Sequence, residues 1–479
     1  MTSIAQPRRT EWAALRPFTG LIIALWIAEI TGSFETAMIL AAMKYLIEDF
    51  GDPALVGWLV TAYLIVGAAA AALVGRMGDI FGRQRVLVIV LAIGAAGSLI
   101  SALATNFTWL LVGRILQGAT GAILALCIGL VRENLPSQHV PMGIGLMLSG
   151  ASLGTAAGLV LGGWIADNYS WQGVFFASVV FCVTTLVAVV ALVPRSPRLA
   201  QTKNIDWFSG VLFAPGIILV LYYVSTIARQ GLFDQVGLAA LGIGVVLLAY
   251  WCWRSLKAET PLIDVRQFRN RYVLVANIVM AFVALSSLQI TLIFSILLQA
   301  PLWTGIGLGV SAFIVGLAKL PSNIFSTFAG PLSGWITGRG GGRAAMLAGG
   351  GLAALGWIIA YFWHDTLALV VAVLCVISFG TTILFSVGPT IVAEAVPRDR
   401  TSEVSGMLSV VRGLFMGIGA MIVTSLLATD VVQDPASNAR YPTEGAFQLT
   451  LAVIIVFSIL ATLCAFALPK GRAQSKDET

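Results

Sequence analysis

Charge is what this sequence has least of: Asp, Glu, Lys and Arg make up 10% of its 479 residues, where a soluble domain carries about a quarter. With 58% apolar residues and a mean hydropathy of +0.93, no water-facing exterior can be assembled, and lipid is the expected solvent over most of the surface. Histidine is scarcer still. His139 and His364 fall in expected loops, which excludes a His-built metal site or proton relay. Cys127, Cys182, Cys252, Cys375 and Cys464 stand one to an apolar run, with no CxxC spacing. That pattern excludes a disulfide framework and a cysteine metal site, and leaves small apolar fillers. No GxxxxGK[ST] loop and no nucleophile–base constellation occurs, so neither an enzyme nor a pump driven directly by ATP is expected.

The net charge of +6 does not point to nucleic acid, because the cations sit in short clusters between apolar runs and read as topology signals. A helix needs about 20 mainly apolar residues to cross the hydrocarbon layer. Spans are expected over 18–43, 54–75, 84–104, 107–131, 140–166, 171–193, 206–227 and 236–254. Six more are expected over 273–299, 306–336, 343–363, 366–394, 403–428 and 446–468. The expected fold is therefore an all-α membrane protein of fourteen transmembrane helices. With both termini placed in the cytoplasm, most of the 28 Lys and Arg fall on the inner side. Only Lys44, Arg229 and Arg440 fall outside, and Arg114, Lys319 and Arg412 within spans. A miscounted span would scramble that asymmetry from the error onward. Arg8-Arg9 imitates a twin-arginine signal, but the run that follows is long, holds two glutamates and lacks a small-residue cleavage site, so a retained helix is expected. The expected location is the cell inner membrane, with lipid as a partner and a monomer as the working unit.

Two polar connections divide the chain. Residues 194–205 carry Pro194, Arg195, Pro197, Arg198 and Lys203, and residues 255–272 mix charges with Leu262, Ile263, Val265 and Phe268. The second suits a short helix lying along the inner interface. The expected plan is a six-helix bundle over 1–193, a linker with two additional helices over 194–272, and a second six-helix bundle over 273–479. A repeat supports it. Gly75-Arg76-Met77-Gly78-Asp79-Ile80-Phe81-Gly82-Arg83-Gln84-Arg85 follows the second span, and Gly330-Pro331-Leu332-Ser333-Gly334 with Gly338, Arg339 and Arg343 follows the tenth as a worn copy without the acid. Repeated halves of this kind belong to alternating-access transporters.

The 75–88 stretch resembles the signature loop of the major facilitator superfamily, G-x-x-x-D-x-x-G-R-[KR]-x-[RK], with Gly75, Asp79, Gly82, Arg83 and Arg85 matching and Gln84 at a usually basic position. Its glycines suit a tight inter-helix turn, and Asp79 and Arg83 suit charge pairs that hold one side shut in one state. Leu111 to Gly118, with Arg114 and Gln117, resembles the family's second motif. Gly150, Gly154, Gly158 and Gly162, with Gly163, put a groove on one face of the fifth span. This is similar to the antiporter motif G-x-x-x-G-P-x-x-G-G, with Leu159 where that motif has proline. Phe34 to Ala41, Asp206-Trp207-Phe208-Ser209-Gly210 and Pro261-Leu262-Ile263-Asp264 are similar to segments of the fourteen-helix drug:proton antiporter branch. The resemblance covers nearly the whole chain. It implies two six-helix bundles with two extra helices between them, no cofactor, and a proton gradient as the energy source.

Of the 22 acids only Glu29 and Glu35 fall well inside a span. A central charge costs at least about 2.5–3.5 kcal/mol, and such residues usually serve a pathway. Glu35 is expected to be the proton carrier, paired with Arg114, since at about 1.5 Å per residue both lie roughly 10–12 Å below the outer ends of their spans. Glu29 and Lys319, both near the midplane, are expected to face each other across a central cavity. Lys319 and Arg412 give the second bundle two cations for substrate binding, with Trp26, Tyr63, Gln289, Asn323 and Trp357 as further cavity candidates. Three functions stay open: a proton-coupled exporter of amphipathic or toxic small molecules, a proton symporter for an organic anion, and a non-transporting sensor or assembly factor on the same scaffold.

Overall fold

The computed structural model describes residues 16–50, 53–197, 207–230, 233–259, 261, 264–310, 312–427, 429–433 and 440–468. Arg8, Arg9, Lys203, Asp206, Leu262 and Ile263 lie outside the described residues. Almost everything described is helix, because runs that are apolar all round can satisfy their backbone in lipid only by bonding within the segment.

In chain order the helices are α1 (Thr19–Phe50), α2 (Pro53–Phe81), α3 (Arg83–Ala102), α4 (Phe107–Gln117), α5 (Ile123–Asn134), α6 (Val140–Asn168), α7 (Trp171–Leu192), α8 (Trp207–Gln230) and α9 (Gln235–Lys257). There follow α10 (Arg271–Leu285), α11 (Ile290–Gln299), α12 (Ala312–Phe362), α13 (Leu367–Ala395), α14 (Thr401–Leu427) and α15 (Glu444–Leu463). A tight 3-10 turn at Gly118–Ala122 joins α4 to α5 in one rod, and another at Ser287–Gln289 joins α10 to α11. Among the described residues twelve helices are long and apolar enough to cross a membrane, against the fourteen expected. The two differences are local. In α8 the apolar stretch found is the short Leu212–Tyr223, and the long α12 holds Gly341 at φ 74, a non-helical residue that kinks it.

The hydrophobic clusters separate by sequence. Two are drawn almost wholly from residues 18–193, and three from beyond residue 272. The two groups meet where α2 lies on α14 and α6 on α12, while α8 packs on α9, on α2 and on α14. The 107–134 rod is the most enclosed, with 67% of its apolar window buried, and the 235–257 helix the most lipid-facing, with 22%. Side-chain-to-backbone closeness at the two meetings comes from glycine. A Cβ on Gly145 would stand 2.1 Å from the Gly330 carbonyl, and one on Gly406 would stand 2.1 Å from that of Ala71.

The glycine face of α6 receives α1. Cβ atoms on Gly150, Gly154 and Gly158 would meet Trp26, Ile30 and Ala37 at 3.0, 2.4 and 2.8 Å, so two backbones approach as the spacing of four implies. Gly162 is buried and Gly163 half-buried further along. Two expectations change. Among the described residues of 255–272, in place of the expected interfacial helix there is a 3-10 turn at Val265–Arg269, from which Arg266 folds back to donate to the Leu256 and Ala258 carbonyls at the end of α9. A two-stranded antiparallel ribbon, with Val431 opposite Pro442 and Gln433 opposite Arg440, interrupts the all-α plan outside the helices.

Gly154→Val forces a side chain into the Ile30 carbonyl, and overpacking of this kind costs about 1–3 kcal/mol. The expected outcome is a lower melting temperature in detergent, with Gly351→Ala, where a Cβ meets open space, unchanged. Equal melting of the two variants would contradict the packing.

Candidate functional site

Glu35, on α1, has no exposed surface, and its carboxylate is enclosed by side chains from four chain segments. Ser98 from α3 donates to Oε1 at 3.1 Å, and Ser178 and Cys182 from α7 approach the same oxygen at 2.8 and 3.3 Å. Gln117, the last residue of α4, brings its Nε2 to 3.4 Å from Oε1. Thr120 donates to Oε2 at 2.7 Å. The 3-10 turn at Gly118–Ala122 is what presents Thr120: a Cβ on Gly121 would stand 2.5 Å from the Cα of Gly67, so the rod tightens where it presses on α2. Gly94 and Gly97 likewise let α3 come in close, and carry Ser98 with it.

Among the described residues no cation touches the Glu35 carboxylate, which corrects the expected Glu35–Arg114 pair. Arg114 is also fully buried, but its Nη1 donates to Gln117 Oε1 at 2.9 Å and to the backbone carbonyl of Glu35 at 3.4 Å, and its Nε to the Leu59 carbonyl at 3.1 Å. The guanidinium carbon lies 4.3 Å from the centre of the Tyr63 ring. Gln117 stands between the two charges, with its carbonyl toward Arg114 and its amide toward Glu35. The physical reason is length: the side chain three residues beyond Arg114 on the same helix occupies the space that a direct pair needs.

Hydroxyls make this shell different from a salt bridge. Each donates one hydrogen bond and accepts others, whereas a guanidinium only donates. Ser98, Ser178 and Thr120 can donate to a carboxylate and can equally accept from a carboxylic acid. Two hydrogen bonds to a charged group are worth about 1.5–3 kcal/mol each, comparable with the roughly 2.5–3.5 kcal/mol insertion cost of a central charge. Both protonation states of Glu35 are therefore satisfied in one geometry.

The expected Glu29–Lys319 pair is also corrected. Glu29 is buried, and the cation whose field reaches it is Arg412 of α14, with no hydrogen bond or ion pair joining the two among the described residues. Lys319 on α12 instead directs its ammonium to the Thr291 hydroxyl of α11, within its own helix group. Arg412 is half-buried over the Phe385 ring, 5.4 Å from its centre, and lines a small pocket with Met280, Pro389, Ser405 and Ser409. Three of the cavity candidates turn out to be braces. Trp26 donates to Ser149 at 3.0 Å, buried Trp357 donates to Ser287 at 3.2 Å, and Gln289 donates to the Ala284 and Met416 carbonyls at 2.8 and 3.0 Å. Asn323 is half-buried, with an amide nitrogen lacking a hydrogen-bond partner among the described residues.

A second polar cluster joins the two helix groups at the 75–88 loop. Asp79 pairs with Arg83 at 2.8 Å and accepts from the backbone amides of Ser402 and Glu403 at 3.4 and 3.0 Å. Those amides open α14, so the carboxylate caps that helix, where the dipole favours negative charge. Arg83 also donates to Ser402 Oγ, to the Gly129 carbonyl and to Glu133, at 2.9, 3.1 and 3.2 Å, and it bonds the Arg398 carbonyl. Arg76 donates to the Asp399 carbonyl at 2.8 Å and lies 3.5 Å from Glu403, and Arg132 donates to Thr401 at 2.8 Å. Glycine is required at two points: Gly82 sits at φ 99, and a Cβ on Gly75 would stand 2.6 Å from the Ser402 carbonyl. Arg85 is exposed and takes no part in this cluster.

Sequence reasoning missed Ser98, Thr120, Ser178 and Cys182, which are lone small residues in apolar runs and carry no pattern. Gln117 was within the quoted 111–118 motif, and its position one helical turn past Arg114 was a signal. Glu403 reads in sequence as an ordinary first-turn acid.

A family profile described as Major Facilitator Superfamily matches residues 25–420 and 314–479. A Bacillus subtilis protein named as an uncharacterized MFS-type transporter, YcnB, is 24% identical over 97% of this chain and 98% of its own length. The Mycobacterium tuberculosis multidrug resistance protein B homolog is 29% identical over 69% of this chain and 61% of that protein. Among solved structures, the human organic anion transporter MFSD10 (TETRAN) superposes with a TM-score of 0.68 at 14% identity, over 94% of this chain and 99% of that one. The proton:xylose symporter XylE superposes with a TM-score of 0.66 at 14% identity, over 95% and 97%. These two show a shared fold.

Removing one partner of a buried ion pair typically costs about 3–5 kcal/mol, so Asp79→Asn is expected to loosen the meeting of α2 with α14. With native cysteines replaced, spin labels at Arg85 and at Gly338, two exposed sites in the two helix groups, measure the effect. The expected outcome is a distance distribution that broadens toward longer separations in Asp79→Asn. An unchanged distribution would show that the cluster is not what holds this side together.

Proposed function

The chain belongs to the Major Facilitator Superfamily, and we propose that within it this protein is a proton-coupled secondary transporter that exports amphipathic or toxic small molecules by exchange for protons. The carrying observation is the buried Glu35, whose hydroxyl shell satisfies the carboxyl both charged and neutral. A proton antiporter needs one group that binds and releases H⁺ as its access to water alternates. The multidrug-resistance names of similar proteins support the substrate class.

The proposed architecture has fourteen crossings, counting α8 as one and dividing α12 at Gly341 into two. Residues 1–193 and 273–479 form the two bundles, and 194–272 the inserted pair. The protein lies in the cell inner membrane as a monomer, with both termini and the 75–88 loop in the cytoplasm. In this reading the Asp79–Arg83 cluster is the cytoplasmic gate, drawn shut. Glu29 and Arg412 face each other across the bundle boundary, where rocking of the bundles separates them. Substrate is held between the bundles, at the small pocket that Arg412 lines with Leu124 and Ile128 of α5 and Ser405 and Ser409 of α14.

Lys319 favours one alternative. Its ammonium bonds a hydroxyl and, among the described residues, no carboxylate, which suits recognition of an organic anion carried inward with a proton.

Proteoliposomes with an imposed pH gradient separate these readings. An amphipathic cationic dye is expected to accumulate in the acidic lumen with wild-type protein, and Glu35→Gln is expected to abolish that accumulation while leaving folded yield intact. Dye accumulation at the wild-type rate in Glu35→Gln would overturn the assignment of the proton site. Uptake of organic anions driven by external acid, with none of the dye, would favour symport.

A further inference from the structure

The Glu35 carboxyl has no exposed surface, so a proton can reach it only through neighbouring groups. Three hydroxyls form an unbroken line to it. Thr36 donates to Tyr63 Oη at 3.2 Å, Tyr63 Oη lies 3.2 Å from Thr120 Oγ1, and Thr120 donates to Glu35 Oε2 at 2.7 Å. Tyr63 and Thr120 are buried, and Thr36 is the first half-exposed member.

Thr36 stands seven residues, two helical turns, beyond Glu29, so both lie on one face of α1. On that face Glu29 lies within the field of Arg412 of the other bundle, and Leu40, one turn beyond Thr36, is half exposed. The charged and titratable groups around the far end are Arg114 on α4, Tyr63 on α2 and Cys182 on α7.

We propose that Thr36, Tyr63 and Thr120 form a hydroxyl relay that carries protons between the inter-bundle cavity and Glu35. This rests on Glu35 being the proton carrier and adds the route. In the inward step a hydronium in the cavity gives a proton to Thr36 Oγ1, and Thr36 passes its own to Tyr63 Oη. Tyr63 passes its proton to Thr120 Oγ1, and Thr120 gives its proton to Glu35 Oε2. Each oxygen gains one O–H bond as it loses one, so the three hydroxyls are unchanged and the carboxylate becomes the acid. A relay must also reset by turning its hydroxyls around. Each member has a second acceptor for that: the Gly32 carbonyl for Thr36 at 3.0 Å and for Tyr63 at 3.4 Å, and the Gln117 carbonyl for Thr120 at 2.7 Å. Arg114, stacked on the Tyr63 ring, holds the phenol in line.

The test follows the infrared C=O band of protonated carboxyl groups in reconstituted protein after a pH jump, the Glu35 component being the part that Glu35→Gln removes. Positioned proton transfer is worth a factor of about 10²–10⁴. Tyr63→Phe, which keeps the ring under Arg114, and Thr120→Val are therefore expected to slow the appearance of that component roughly a hundredfold, each variant being followed after a jump to a pH at which its own component reaches full amplitude. Thr120→Ser and Thr36→Ser, which keep the hydroxyl, are expected to retain the wild-type rate. An unchanged rate in Tyr63→Phe and Thr120→Val, with the component present, overturns the relay alone. Absence of any component that Glu35→Gln removes overturns the proton-carrier reading and the relay with it. A slowing in Thr120→Ser equal to that in Thr120→Val overturns the relay in favour of a packing role.

Discussion

A carboxyl group enclosed in lipid-shielded helices, with no water to solvate it, must find its partners among side chains. At Glu35 that constraint organises the first bundle: α3, α4 and the turn at Gly118–Ala122 each place one polar side chain on the same carboxylate, and α7 places two. The choice of hydroxyls over a guanidinium has a chemical meaning. An arginine at bonding distance would fix the charged form, since it can only donate. Here Arg114 sits one residue removed, behind Gln117, and contributes field without a direct bond.

The proposed proton site and the proposed gate are linked through α2. α2 carries Tyr63 beside Glu35 and, further along, Arg76 and Asp79 of the cluster that grips α14. α14 in turn carries Glu403 in that cluster and Arg412 opposite Glu29. A tilt of α2 against α14 therefore changes the surroundings of the relay and of the gate together. That is the mechanical link that alternating access requires between ion binding and bundle motion.

Much of the scaffold was legible in the sequence, because hydropathy and the placing of Lys and Arg are properties of long segments that survive local irregularity. The glycine spacing of α6 foretold a face that receives α1, and Gly75, Asp79, Gly82 and Arg83 carried their grouping in a contiguous motif. Pairings across the bundles were not legible. Depth along a helix puts Glu29 level with Lys319, but rotation about the helix axis decides which neighbour is met, and Lys319 turns to Thr291 instead. The same holds for Arg114, whose expected contact with the Glu35 carboxylate is taken by Gln117. Trp26, Trp357 and Gln289 are cavity candidates by residue type, yet the Trp26 and Trp357 indole N–H groups and the Gln289 amide nitrogen each make a structural bond. The extra 3-10 turn, the capping role of Arg266 and the short ribbon at 431–442 depend on single contacts that no periodicity records.

At the centre stands the claim that Glu35 releases its proton as the transported compound binds. The direct measurement is the number of protons released per protein when that compound is added to purified protein in weakly buffered detergent solution. Wild-type protein is expected to release close to one proton, and Glu35→Gln none while still binding the compound. Undiminished release in Glu35→Gln would contradict the claim, and would move the proton to another group.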